Sequence, residues 1–339
     1  MAQADEGRRF QDPASHPGGG AMPSVAIDSG PTVMLSFRGQ GWDFFTLMLK
    51  NVLLTMVTLG IYAPWARTAR RRFIWRKLEV QGQPLDYTGT GKELFFGCLK
   101  VAAGYLVLVV FPQVVAARIS RPAGLVLQLL GAVAIVALVP FAIYWARRFL
   151  LSRTRWRLIR FGLDGDAGAF AKQFIVGLLL TLITLGIYGP IFGNRVYGTL
   201  IRNTRYGNRS FAYSGTDGEA FRIGIKGILL TLVTLGVYFF WYRAALARFR
   251  VSHTHFEGAS GRIEVTGGLL FKLALINIFG TLFTLGLAFP WTFTYALREI
   301  VGRVALVGPI NFDLITPKET AGSPAGDSLA SALGIELSI

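Results

Sequence analysis

The sequence predicts a membrane protein, mainly α-helical, built from repeated units of hydrophobic helix, basic amphipathic helix and short β-hairpin, with about six membrane segments. Three observations predict it. Hydrophobic residues make up 52% of the 339 and charged residues only 16%, against about 25% charged in soluble domains, so the polar groups that would cover a water-facing surface are lacking. Six apolar stretches approach the roughly 20 residues that cross a bilayer. One hydrophobic segment, ending in a Thr-Leu-Gly-Tyr-Pro-Trp turn, recurs along the chain.

The elements follow in order. Residues 1–32 are rich in Gly, Pro, Ser and Asp without an apolar core, and read as a disordered tail, not a cleavable signal peptide. Residues 33–316 form the repeat-built membrane domain. Its candidate segments are 43–63, 94–117, 123–145, 172–192, 221–242 and 268–291, the second and third joined by a short link holding Arg118, Arg121 and Pro122. Residues 317–339 read as a flexible C-terminal tail. Six buried helices in a soluble protein would need a polar shell that this composition does not supply.

The repeat runs Thr55-Met-Val-Thr58-Leu-Gly60-Ile-Tyr62-Ala-Pro64-Trp65, with further copies beginning at Thr181, Thr231 and Thr281, the last three spaced by 50 residues. A worn copy, Pro140 to Arg148, ends the third segment. Positions −4 and 0 relative to the first Thr share a helix face: Asn51/Thr55, Gly177/Thr181, Gly227/Thr231 and Asn277/Thr281. Small and amide-bearing residues suit close helix packing inside a membrane, the role expected for this stripe. The Gly-x-Tyr-x-Pro end stops or kinks the helix. It sets Tyr62, Trp65, Tyr188, Tyr238, Trp241 and Trp291 as expected interface anchors.

After each motif comes a basic helix-like stretch (Arg67 to Lys77, Arg147 to Arg160, Arg195 to Arg209, Arg243 to Arg250), then a Gly-rich strand-turn-strand pattern. With its Phe37-x-Gly39-x-Gly41 opening, its Thr-Leu-Gly-Ile-Tyr-x-Pro-Trp-Ala turn and the stretch Arg160-Phe-Gly-Leu-Asp-Gly165, the sequence resembles the YjgN-like family of bacterial inner-membrane proteins over about residues 34 to 315. The resemblance implies a multi-pass place in the bacterial inner (cytoplasmic) membrane and carries over no catalytic or binding residue. Ile191 stands where the motif has Trp, and Phe240 where it has Pro.

Topology poses a choice. If all six segments cross, the loops divide 18 Lys and Arg against 12 between the two faces, and near-identical basic helices fall on opposite sides. The lengths favour plain crossing. The alternative is re-entrance at the Gly-x-Tyr-x-Pro bend, which would gather every basic helix at the cytoplasmic face beside anionic lipid.

The formal net charge of +16 sits in clusters flanking apolar runs, a pattern of membrane flanks and not of nucleic-acid binding. Intramembrane cations are Lys50, Lys100, Lys172, Lys226 and Lys272, with no Asp or Glu in the middle of any segment. Snorkelling to headgroups is their ordinary reading. Lys50, Lys100 and Lys226, with Arg71 and Arg147, are the candidates for holding a ligand anion or lipid headgroup. The lone Cys98 reads as a small buried hydrophobe. His253 and His255 lack the further ligands of a metal site, and no nucleotide loop or nucleophile–base pair is present. The expected protein is therefore not an enzyme and has no cofactor or metal. It organises the membrane by binding anionic phospholipid of the lipid bilayer or partner proteins, whose identity the sequence does not give. A channel or transporter for a small anionic solute is the alternative.

Overall fold

The computed structural model describes residues 32–318, so the two expected tails lie almost wholly outside the described residues. The chain is mostly helical, with short antiparallel strands between pairs of helices. It begins with β1 (Thr32–Phe37), α1 (Gly41–Val57), α2 (Ala63–Lys77), β2 (Leu78–Val80), β3 (Gln83–Pro84) and β4 (Asp86–Tyr87). A long helical pair follows. Its first arm is continuous from Gly91 to Arg118, as α3 (Gly91–Tyr105), a π-helical turn (Leu106–Val110) and α4 (Phe111–Arg118); its second is α5 (Arg121–Ser152). Then come β5 (Thr154–Trp156), β6 (Ile159–Leu163), α6 (Ala167–Ile183), α7 (Gly189–Arg202), β7 (Thr204–Tyr206), β8 (Arg209–Ser210) and β9 (Ala212–Tyr213). The chain closes with α8 (Asp217–Val233), α9 (Phe239–Ser252), β10 (Thr254–Phe256), β11 (Ala259–Ile263), α10 (Gly267–Phe283), α11 (Phe289–Val301) and β12 (Val304–Val307).

The expectation of six membrane segments meets shorter helices at the four motifs. Among the described residues, only the helices Gly91–Arg118 and Arg121–Ser152 are long and apolar enough to cross a membrane. At each of the four motifs a 17-residue helix (α1, α6, α8 or α10) ends and the chain turns back. The reason is backbone geometry. Leu59, Leu185, Leu235 and Leu285 take left-handed φ values of 49–52°, and the following Gly residues take φ of 90–94°. The Gly N–H then reaches back to the carbonyl of the first motif Thr at 2.7–2.8 Å, the hydrogen bond of a Schellman stop. The second Thr completes the turn: Thr184 Oγ1 donates to Leu180 O (2.7 Å) and accepts from the N–H of Tyr188 (3.0 Å). Thr58, Thr234 and Thr284 repeat both bonds. Gly177 lies against Phe192 and Gln173 bonds to Thr199, so the two arms run antiparallel.

Five helical hairpins result, and they form a closed ring. Within each, the two arms pack together; between them, α2 packs on α3, α5 on α6, α7 on α8, α9 on α10, and α11 on α1. The strands close as well. The seven-stranded sheet runs β3-β2-β1-β12-β11-β10-β9 and the five-stranded sheet β4-β5-β6-β7-β8. Leu85 alone separates β3 from β4, and Phe211 alone separates β8 from β9, so the strand path returns on itself with every pairing antiparallel. Residues Pro309 to Thr316 lie along the tips of the β-hairpins: Pro309 O meets Gly258, Thr316 bonds to Asn208, and Phe312 packs on Trp156 beneath Arg157. Ile310, Phe312 and Ile315 join the apolar cluster of Trp156, Tyr206 and Phe256.

Candidate functional site

The seams of the ring are built from small residues meeting large ones. Trp65 sits so close over Gly91 that a Cβ there would lie 2.4 Å from its ring; Trp241 does the same to Gly267 (2.3 Å) and Trp291 to Gly41 (2.3 Å). The last pair joins the final motif to the first hairpin and closes the ring. The other two seams carry Phe141 with Ala167 and Ile191 with Asp217 at the corresponding positions. So the motif tryptophans, expected as interface anchors, also pack as wedges between hairpins. Tyr62 and Tyr238 stack on Trp65 and Trp241 at 6.1 and 6.3 Å, and Tyr188 lines a cleft described below.

A second seam contact escaped sequence reading. Arg72 donates to Gly89 O (3.1 Å), Arg248 to Val265 O (3.1 Å) and Arg298 to Gly39 O (3.0 Å). Each guanidinium latches the loop that opens the next hairpin. The signal was present as arginines at one fixed distance past the motif, but a basic helix invites a surface reading.

Asn51 is buried and donates to Ala66 O (3.5 Å), Asn277 accepts from Thr292 (2.7 Å), and Gly227 lies against Tyr242. Thr55 and Thr181 bond to their own helices, while the Thr231 and Thr281 hydroxyls are buried without a hydrogen-bond partner. The stripe thus packs the two arms of one hairpin together.

The candidate ligand residues do not converge on one point. Lys50, Lys100 and Lys226 are exposed on α1, α3 and α8, the first arms of three hairpins; Lys172 and Lys272 are exposed on α6 and α10, one turn nearer the strands. Together they make a belt, one lysine per hairpin. Arg71 and Arg147 sit on second arms, away from this belt, and Arg147 Nε is buried without a hydrogen-bond partner. His255 is held by Ser214 and Ser260, and His253 approaches Glu219 at 3.5 Å, so the two rings serve different partners.

Beyond the belt the surface is apolar. Leu59, Leu185, Leu235 and Leu285 are 93–95% exposed at the hairpin tips. From Lys50 to Leu59 is about 13 Å of helix at 1.5 Å per residue, and from Lys100 to Arg118 about 27 Å. The first distance is near one leaflet of hydrocarbon and the second near the whole roughly 30 Å core.

Near the strands, burial pushes the phenols of Tyr206 and Tyr213 up to about 12. Tyr213 donates to Asn194 Oδ1 (2.6 Å) and Tyr206 to Trp156 O (2.9 Å), so both are held in the neutral form.

An apolar belt of this depth, edged with lysines and bearing two helices of crossing length, defines a membrane protein. The chain belongs to the family described as "Bacterial protein of unknown function (DUF898)", whose model matches residues 32–218, 208–260 and 240–332. Similar curated proteins are all called inner membrane protein YjgN. The one from Salmonella typhimurium is 29% identical over 178 residues, covering 49% of this chain and 43% of its own. That of Escherichia coli O157:H7 is 33% identical over 140 residues (41% and 31%), and that of strain K12 42% identical over 69 (20% and 17%). The chain therefore spans less than half the length of these relatives. No solved structure matches.

Proposed function

We propose that this chain is a non-catalytic, multi-pass inner-membrane protein that organises lipid by seating a ring of helical hairpins in the cytoplasmic leaflet. The observation that carries the reading is the motif leucine. A left-handed residue other than Gly costs about 1–2 kcal/mol, and Gly there would avoid the strain. Yet all four copies keep Leu, more than nine-tenths exposed. Burial of a Leu side chain in hydrocarbon contributes about 1.5–3 kcal/mol, enough to offset the strain. Four short hairpins then enter one leaflet, and the long one crosses from Lys100 to Arg118 and Arg121. The strand end, with most of the Lys and Arg, faces the cytoplasm under the positive-inside bias and meets anionic headgroups.

Single cysteines in a Cys98→Ala background test this. Cysteine at Asn208 and at Leu158 is expected to label only from the cytoplasm, at Ile119 only from the periplasm, and at Leu185 from neither side. Labelling of Asn208 and Leu158 from opposite sides would overturn it.

The ring closed around an axis favours one other reading, a channel or carrier for a small anionic solute. The aromatic cluster and the C-terminal segment across the β-hairpin tips speak against an open path. Anion flux through liposomes carrying the purified chain would decide for the channel.

A further inference from the structure

The α6–α7 hairpin carries a cleft at the level of the lysine belt. Between α6 and α7 lies a cleft of about 320 Å³ whose walls are Ala169, Val176, Gly177 and Phe192, with Lys172, Gln173, Tyr188 and Arg195 at its edge. A second cavity of about 490 Å³ shares Gln173 and Arg195 and continues towards the strands, where Asn194, Thr199, Arg202 and Asp217 line it. The pair is thus an apolar slot opening at the lysine belt and a polar chamber behind it, with Arg195 at the junction. Gly193 stands where the other motif hairpins carry Arg67, Arg243 and Phe293, and a side chain there would face Arg250 of α9.

The polar chamber is fixed in place before anything binds. Arg195 Nε bonds to Asp217 Oδ2 (2.7 Å), Asn194 Nδ2 to Asp217 Oδ1 (2.9 Å), and Thr199 Oγ1 to Gln173 Oε1 (3.0 Å). Lys172, Arg195 and Arg202 outnumber the single Asp217 carboxylate, so the lining carries an excess of two positive charges. A phosphodiester supplies matching negative charge, and guanidinium groups hold phosphate oxygens in a fixed fork. Val176 in the slot wall and Leu179 beyond it, each about half exposed, continue the apolar surface that an acyl chain would follow.

We infer that this double cleft holds one anionic phospholipid of the surrounding leaflet, its phosphate between Lys172 and Arg195 and its headgroup polar atoms in the chamber. The inference rests on the membrane-organising reading above but makes a separate demand, a single selective site. Native mass spectrometry of the full-length protein, loaded with equal phosphatidylglycerol and phosphatidylcholine, tests it. One phosphatidylglycerol is expected to be retained preferentially. Retention should fall about tenfold in Lys172→Gln/Arg195→Gln, and also in Val176→Trp, which fills the slot and leaves the Arg195–Asp217 pair intact. Lys92→Gln, exposed on α3 and outside the cleft, should change nothing, and thermal melting checks that each variant is folded. Equal retention of the two lipids, or retention unaffected by both cleft variants, overturns the inference. So does displacement by water-soluble glycerophosphoglycerol at the same concentration as the lipid, which would make the ligand a soluble phosphate ester. Cysteine protection at Leu185 is read independently, so loss of membrane insertion and loss of the lipid site are distinguishable.

Discussion

A glycine beneath a tryptophan sets three of the five seams, and the sizes of the two residues are matched. Where the wedge is Trp the partner is Gly; where it is Phe141 the partner position holds Ala167. Gly267→Ala should therefore lower stability by about 1–3 kcal/mol through overpacking, and Trp241→Phe in the same chain should restore much of it. Melting temperatures of the two single variants and the double variant check this; strictly additive losses would mean that the two positions do not share a contact. The buried tyrosines give a pH dependence. A phenol whose folded pKa of about 12 exceeds the usual 10 favours folding while neutral. Its contribution is full below pH 10 and is lost as pH rises from 10 through 12, by up to roughly 2–3 kcal/mol for each group. Absorbance titration near 295 nm should show late-titrating phenols in the folded protein, with one fewer in Tyr213→Phe.

At the scale of the element, the motif turn separates folding from insertion. Gly186 holds φ of +92° with open space around it, so Gly186→Val is expected to cost about 1–3 kcal/mol by backbone strain alone and to lower the melting temperature in detergent. Leu185→Asp should leave that temperature nearly unchanged, because the side chain is more than nine-tenths exposed, and yet weaken association with liposomes. Flotation assays read the second effect. Equal loss of melting temperature in both variants would show that the leucine is a packing residue. The turn was readable as a helix stop, since Thr, Gly and Pro at these offsets signal one. Its direction was not. Hydropathy records that a segment is apolar, whereas reversal depends on two successive residues with positive φ, the first of them a Leu that propensity alone would place inside a helix.

For the whole molecule the consequence is a ring without ends. The strands β1 and β12, from opposite ends of the described chain, pair as neighbours, and Arg298 latches Gly39 as Arg72 latches Gly89. Arg72→Met, Arg248→Met and Arg298→Met should then cost similar amounts, about 1–3 kcal/mol for a lost charged hydrogen bond to a loop carbonyl. A near-zero effect for Arg298→Met alone, measured by thermal melting, would indicate that the ring opens at its terminal seam. The long hairpin breaks the regularity. Arg72 and Arg148 lie 76 residues apart, against 50 between Arg148, Gly198, Arg248 and Arg298, and the added residues carry it beyond the other four.

By itself the sequence determined membrane character, the family and the recurring unit, because each of these is written in local composition and spacing: too few charges for a soluble surface, apolar runs, one motif at a fixed interval. It also supplied the lysines and the small residues, though not what they meet. Only the tertiary structure decided that motif segments turn back, that tryptophans wedge onto glycines of the next hairpin, and that Trp291 closes on Gly41 some 250 positions away. Such contacts depend on how five hairpins divide a full turn about one axis, a property of their summed packing angles that no single segment contains.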